Sequence, residues 1–85
     1  MTKTRGFDIT GLPGYRAEYD PRFGKWYVAV TGIRSFSWND ATERHDVPDY
    51  AENYYIEQRN TAKGAVAAAH SHARWVAEQM TKFAA

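Results

Sequence analysis

The chain has 85 residues, of which 44% are hydrophobic, 25% charged and 15% aromatic. This composition is typical of a globular domain and excludes a disordered chain. A mean hydropathy of −0.68 without a long apolar run excludes a membrane span. Because there is no cysteine, disulfides, thiolate metal sites and cysteine nucleophiles are excluded as well. We expect one domain over residues 1–85 and, since residues 1–12 lack the apolar segment of a signal peptide, a cytoplasmic location.

The formal net charge of +1 is unevenly distributed along the chain. Residues 1–38 carry an excess of basic side chains, residues 39–60 an excess of acidic ones, and residues 61–85 a mild basic excess. A total this close to neutral does not by itself indicate a nucleic-acid-binding protein. This segregation of charge nevertheless predicts one surface with a basic excess and one with an acidic excess.

Residues 1–14 are predicted to form a flexible N-terminal arm. Three glycines and one proline interrupt any hydrophobic period in this segment: Gly6, Gly11, Pro13 and Gly14. Two apolar side chains, Phe7 and Ile9, are available to attach the arm to the domain.

The clearest local signal is a β-hairpin over residues 15–31. Two segments, 15–19 and 25–31, alternate aromatic or β-branched residues with polar ones, which is the period of a strand. Between them, Pro21 suits the second position of a turn and Gly24 suits a left-handed closing residue. An antiparallel meander therefore begins with this hairpin.

The segment that follows the hairpin is less regular. Gly32 permits a tight reversal into a third strand over residues 33–38, and residues 39–44 have the spacing of a helical turn. Pro48 then interrupts the chain. Residues 53–60 are consistent with a fourth strand or with a helix, and Tyr54, Tyr55 and Ile56 favour the strand.

The chain ends in a predicted helix over about residues 61–83. Apolar residues recur there at steps of three and four, which places them on one helical face: Ala62, Val66, Ala69, Ala73, Val76, Met80 and Phe83. A face rich in alanine allows close approach to a sheet whose strands supply the bulky side chains. The predicted fold class is α+β, with three or four antiparallel strands covered on one face by the C-terminal helix.

No group of residues has the pattern of an active site or a metal centre. The dipeptide His45-Asp46 is found in some metal sites, but His70 and His72 lie about 200° apart on the predicted helix and cannot bind one ion together. No glycine-rich loop connects a strand to a helix. We expect a protein that is not an enzyme and that uses no metal or cofactor.

One candidate surface is the face of the sheet opposite the helix. Basic and aromatic side chains alternate there, as they do in proteins that stack and neutralise single-stranded nucleic acid. Nucleic acid is therefore an alternative partner, and the candidate residues are Arg16, Arg22, Lys25, Tyr27 and Arg34.

The other candidate surface is the acidic connection over residues 38–52. Connections of this length are often functional, and aromatic anchors surrounded by charge are typical of protein interfaces. The candidate residues for binding a protein are Trp38, Asp46, Asp49, Tyr50 and Tyr54.

These features favour a small module that binds a protein partner stoichiometrically. A regulator or inhibitor of the kind that phages and mobile elements encode has this size and type. Trp75 lies on the flank of the predicted helix, where it either covers the edge of the core or contacts a second copy. A homodimer would enlarge the thin core of so small a domain.

Overall fold

The computed structural model describes residues 5–84. It contains four antiparallel strands in the order β1-β2-β3-β4, followed by one helix, which confirms the predicted fold class. The elements are β1 (Arg5–Asp8), β2 (Tyr15–Asp20), β3 (Lys25–Asn39), β4 (Arg44–Arg59) and α1 (Ala62–Ala84).

The hairpin predicted over residues 15–31 is confirmed as β2 and the first part of β3. Its register places Tyr15 opposite Val30 and Tyr19 opposite Trp26. In the turn, the amide of Gly24 donates to the carbonyl of Asp20 at 2.9 Å, and Gly24 has a φ of 63°. A residue with a side chain rarely adopts this conformation, so glycine closes the turn.

β3 does not reverse at Gly32, which corrects the sequence expectation. The strand continues to Asn39, and the registers on the two sides of Gly32 differ by one residue. Gly32 has a φ of 144° and absorbs this irregularity inside the strand. The chain reverses instead at residues 40–43, where the amide of Glu43 donates to the carbonyl of Asn39 at 2.8 Å.

The predicted acidic connection over residues 38–52 is also wrong, because most of it belongs to β4. This strand has 16 residues and includes the segment 53–59, so the strand interpretation of that segment is correct. Pro48 is tolerated because β4 lies at the edge of the sheet, where a missing backbone donor can face away from β3.

Part of the predicted arm is a strand. Arg5–Asp8 pairs with β2, with Phe7 opposite Ala17, and Ile9 belongs to the buried core. The amide of Ile9 donates to the carbonyl of Tyr15 at 3.0 Å, so Gly11 and Gly14 lie in a turn between paired strands. Residues 1–4 of the predicted arm lie outside the described residues.

The helix covers one face of the sheet through alanines, but of the predicted apolar face only Ala69 is fully buried, and the buried Ala65 and Ala68 were not assigned to that face. Ala65, Ala68 and Ala69 are buried against Val28 and Val30. The predicted apolar face is not buried throughout, since Met80 remains 43% exposed. The reason is that the sheet narrows from four strands to two beneath the second half of the helix.

We name the two regions by this change in width. The body consists of β1, β2, the parts of β3 and β4 that lie beside them, and the first half of α1. The distal ribbon consists of residues 31–52, in which β3 and β4 continue as a two-stranded hairpin beneath the second half of α1. Strands of 15 and 16 residues extend about 50 Å at 3.3 Å per residue, in agreement with the longest dimension of 49 Å.

Candidate functional site

Arg34 of the distal ribbon contacts both Asp49 and, just outside the ribbon on β4, Tyr54. The Nε atom of Arg34 donates to Oδ2 of Asp49 at 3.0 Å, and its guanidinium lies 4.4 Å from the centre of the Tyr54 ring. Both charged side chains are about one-third exposed. Arg34, a candidate for binding nucleic acid, thus belongs to the cluster of protein-binding candidates, and its charge is neutralised there.

Asp46 stabilises the turn of the ribbon and is not a free surface acid. Its side chain is only 9% exposed, and its Oδ2 lies 3.6 Å from Nη2 of Arg44. The neighbouring side chains of Thr42, Asn39 and Arg44 lower the pKa of Asp46. The carboxylate lies against the turn, where its Oδ1 is buried without a hydrogen-bond partner among the described residues, and the neighbouring His45 contacts the Trp38 ring.

The remaining candidates of this set are exposed aromatic side chains. Tyr50 is 71% exposed, Trp38 52% and Tyr54 45%. Indole Nε1 of Trp38 donates to Oδ1 of Asp40 at 2.8 Å, which fixes the ring at the tip of the ribbon. Tyr50 pairs with Ile33, so Trp38 lies five residues, or about 17 Å, farther along β3. The aromatics follow the ribbon in a row and do not form one compact cluster.

Each basic candidate on the body has a polar partner close by. The ion pair between Arg16 and Asp8 has a distance of 2.7 Å, and that between Arg22 and Asp20 a distance of 2.8 Å. Arg22 lowers the pKa of Asp20, and Lys25 donates to the side-chain oxygen of Asn60. The two ion pairs cancel much of the local positive potential that phosphate binding would need, whereas Lys25 keeps its charge beside the neutral amide of Asn60.

Tyr27 lies on the face opposite the helix, next to Tyr55. The two ring centres are 5.3 Å apart and border a concavity of about 550 Å³, together with Glu18 and Phe23. Burial and the nearby Glu18 carboxylate raise the pKa of Tyr55. This concavity was not predicted, because Tyr55 reaches it only through the register shift between Val28 and Ala29.

The sequence analysis also missed the structural role of His72. Its Nδ1 lies 2.7 Å from the hydroxyl of Tyr15, and its Nε2 lies 2.9 Å from the carbonyl oxygen of Arg34. A carbonyl can only accept, so Nε2 donates and Nδ1 of the neutral ring accepts from Tyr15. His72 thereby connects the helix to both the body and the ribbon, and burial raises the pKa of Tyr15.

Trp75 covers the edge of the core, which was one of the two predicted alternatives. Its ring makes edge contacts with Phe36, at 5.5 Å between centres, and also contacts His72. Phe83 packs against the same Phe36 ring at 5.2 Å. The second half of the helix is therefore attached to the ribbon by aromatic rings.

Groups of metal ligands and membrane-spanning helices are both absent from the described residues. Among residues 5–84, no three His, Asp or Glu side chains are grouped as metal ligands. No helix in the described part of the chain is long and apolar enough to cross a bilayer.

No protein-family model matches the chain, and no curated protein or solved structure shows significant similarity to it.

Proposed function

We propose that this protein is a small module that binds a protein partner through β4 and the distal ribbon. The observation that supports this most directly is the row of exposed aromatic rings formed by Trp38, Tyr50 and Tyr54. Tyrosine and tryptophan are enriched among the residues that dominate protein interfaces, because they bury a large area at a small cost in side-chain entropy.

The position of β4 adds a second argument. β4 is an edge strand of 16 residues, and within residues 5–84 no strand pairs with its outer side. Open edges are available for backbone pairing with an extended segment of another protein. Pro48, the fifth residue of β4, interrupts this edge, so pairing would be confined to one side of it.

Because the two aspartates of the candidate site are held in ion pairs, we propose recognition by the aromatic rings and not by the acidic side chains. Asp46 and Asp49 are engaged by Arg44 and Arg34 inside the ribbon. Their carboxylates therefore position the ribbon, while the exposed rings supply the contact area. We accordingly assign binding to Trp38, Tyr50 and Tyr54, and a positioning role to the two aspartates.

Nucleic-acid binding through Arg16, Arg22, Lys25, Tyr27 and Arg34 is the second proposal. The specific observation in its favour is the pair of neighbouring Tyr27 and Tyr55 rings, since bases stack on such rings. The local partners of all four cations weigh against it.

A stoichiometric regulator or inhibitor in the cytoplasm, of the phage-encoded kind, is the biological role that we propose. It rests on the small size of the chain.

Site-specific photo-crosslinking tests the proposed surface. A benzophenone amino acid replaces Tyr50 in one variant and Phe23 in another, and both are irradiated in cells of the source organism. Phe23 is the matched control because it is also aromatic and 65% exposed, but lies at the β2–β3 turn of the body. We expect a discrete protein adduct from position 50 and none from position 23.

The other outcomes are equally informative. Equal labelling from both positions, or none from position 50, would contradict the proposal. An adduct that nuclease treatment removes would instead support the nucleic-acid alternative. Alanine at Arg16 and Lys25 should then abolish that adduct, and high salt should weaken it.

A further inference from the structure

The concavity beside Tyr27 and Tyr55 combines aromatic walls with charged side chains, and we call it the aromatic pocket. Strands β2, β3 and β4 all contribute to it, on the face of the sheet opposite the helix. Its volume of about 550 Å³ lies within the usual range for small-molecule sites. The residues that line it include Glu18, Asp20, Arg22, Phe23, Tyr27 and Tyr55.

Glu18 is the acidic side chain of this pocket whose charge is not paired within the chain. Its Oε2 is enclosed by protein atoms and has no hydrogen-bond partner among residues 5–84. In the same part of the chain, no basic side chain forms an ion pair with it. The three nearby cations have other partners: Arg16 pairs with Asp8, Arg22 pairs with Asp20, and Lys25 donates to Asn60. A carboxylate enclosed without a donor is costly, so a positively charged ligand would be stabilised beside it.

The electrostatic potential of the pocket is negative. Its lining carries two carboxylates and one guanidinium, whose formal charges sum to −1. Arg22 neutralises Asp20 at 2.8 Å, which leaves the charge of Glu18. The same potential acts on the Tyr55 hydroxyl, since burial and then the two carboxylates raise the pKa of Tyr55. A phosphate group would be repelled at this place, whereas a cation would be attracted.

We propose that the aromatic pocket binds a small organic cation that carries a quaternary ammonium group, held against the rings of Tyr27 and Tyr55. The face of an aromatic ring attracts a cation electrostatically, and quaternary ammonium ligands are commonly recognised in this way. One ring of the pocket already shows this contact within the chain, because the guanidinium of Arg22 lies 5.5 Å from the centre of Phe23.

The enclosure of Glu18 favours a quaternary ammonium over a primary one. A primary ammonium needs hydrogen-bond acceptors to replace the water that it loses on binding. Oε2 of Glu18 is not exposed to accept such a bond, so its charge acts on a ligand through space. A quaternary ammonium has no N–H group and needs no acceptor. The combination of rings with an enclosed carboxylate therefore suits the methylated cation.

The aromatic pocket is separate from the surface that we propose for protein binding. It lies on the body near the β2–β3 turn, whereas Trp38 and Tyr50 lie on the distal ribbon. Tyr54 pairs with Val30 and Tyr55 with Ala29, so the two tyrosines leave opposite faces of the sheet. The ligand is a small molecule, so a protein adduct from position 23 is still not expected. Either proposal can therefore fail without the other.

NMR titration with choline tests the charge that the pocket selects. The matched ligand is the neutral alcohol in which a tert-butyl group replaces the trimethylammonium group of choline. We expect an upfield ring-current shift of the choline methyl protons and shifted ring signals of Tyr27 and Tyr55. Choline should bind at least about fivefold more tightly than the alcohol, because only choline carries the charge. No binding of choline, or equal binding of the two ligands, would overturn the proposal whether or not any variant folds.

Two pairs of variants test which side chains bind the cation. Glu18→Gln keeps the shape of the side chain and should weaken choline binding about three- to tenfold, as should Tyr55→Leu. Glu52→Gln and Tyr50→Leu are the matched controls, because both residues are exposed on β4 outside the pocket, and they should bind as the native protein does. Equal affinity in Glu18→Gln and Glu52→Gln would contradict the role of the carboxylate.

Uridine monophosphate distinguishes this proposal from base stacking. It carries a base and a phosphate, so a pocket with a negative potential should bind it more weakly than choline. If uridine monophosphate shifts the Tyr27 and Tyr55 signals and choline does not, the pocket binds bases and the cation proposal is wrong.

Discussion

The body and the distal ribbon join the same helix to the same two strands with different side chains. In the body, Ala65 and Ala69 are buried against Val28 and Val30. In the ribbon, Trp75 and Phe83 contact Phe36 edge to face. The alanine methyl groups of the helix pack against a four-stranded sheet and are buried. The aromatic rings that pack on the two-stranded ribbon leave part of their surface exposed, as Trp75 does. The comparison indicates that the body holds most of the buried core, whereas most of the surface that we propose for recognition lies on the ribbon.

The largest difference in stability between the body and the ribbon should appear when a valine side chain is truncated. We expect Val30→Ala to lower the free energy of unfolding by about 2–3 kcal/mol, through lost burial and a residual cavity. Val47→Ala in the ribbon should change it by less than about 0.5 kcal/mol, because Val47 is exposed. Urea unfolding measures both values, and equal losses would remove the distinction between the regions.

The link through His72 should have the next largest effect. Tyr15→Phe removes the hydroxyl that donates to Nδ1 of His72 and should cost about 1–2 kcal/mol. Tyr50→Phe is the control, since its exposed hydroxyl has water available as a partner, and its stability should be unchanged. A Tyr15→Phe protein as stable as the native one would mean that the hydrogen bond joins the regions without stabilising them.

The ion pair of the ribbon should contribute less. A double-mutant cycle of Arg34→Ala and Asp49→Ala should give a coupling of about 0.5–1 kcal/mol, because both groups are partly exposed to solvent. The pair of Arg22 and Asp20 on the body is more exposed at its arginine and should give a smaller coupling. A larger coupling on the body would reverse this part of the comparison.

Alkaline pH should weaken the protein gradually. Burial raises the pKa of Tyr15 above its ordinary value of 10.0, so the folded chain retains a proton that the unfolded chain releases. The contribution to stability is complete below pH 10 and is lost as the pH rises through the folded pKa. Melting temperatures above pH 10 should fall less steeply in Tyr15→Phe than in the native protein, and identical slopes would contradict this assignment.

The sequence predicts the body well because its signals are local. The alternation around Tyr15 and Trp26, the turn closed by Gly24 and the helical spacing of alanines each act within a few residues. The short strand β1 was missed, since Arg5–Asp8 has only Phe7 and Gly6 to indicate it.

Within the ribbon only the strand over residues 33–38 was predicted correctly, because the other signals depend on distant partners. Gly32 and Pro48 usually interrupt a strand, but here one absorbs a register shift and the other lies on an edge. Among the candidate residues, Trp38, Tyr50 and Tyr54 are exposed, and their role in binding stays a prediction. Pairing of Arg34 with Asp49 depends on the register of β3 against β4, which no local pattern contains.

The chain enters and leaves the ribbon at one place, where the amide of Asn53 donates to the hydroxyl of Thr31 at 2.9 Å. The residues between them form one hairpin, which can be shortened or lengthened without changing the path of the rest of the chain. Changes of two residues in each strand preserve which side chains face the helix. Homologues of this chain should therefore differ in the length of the distal ribbon by even numbers of residues in each strand, whereas the parts of β3 and β4 that belong to the body should keep their length.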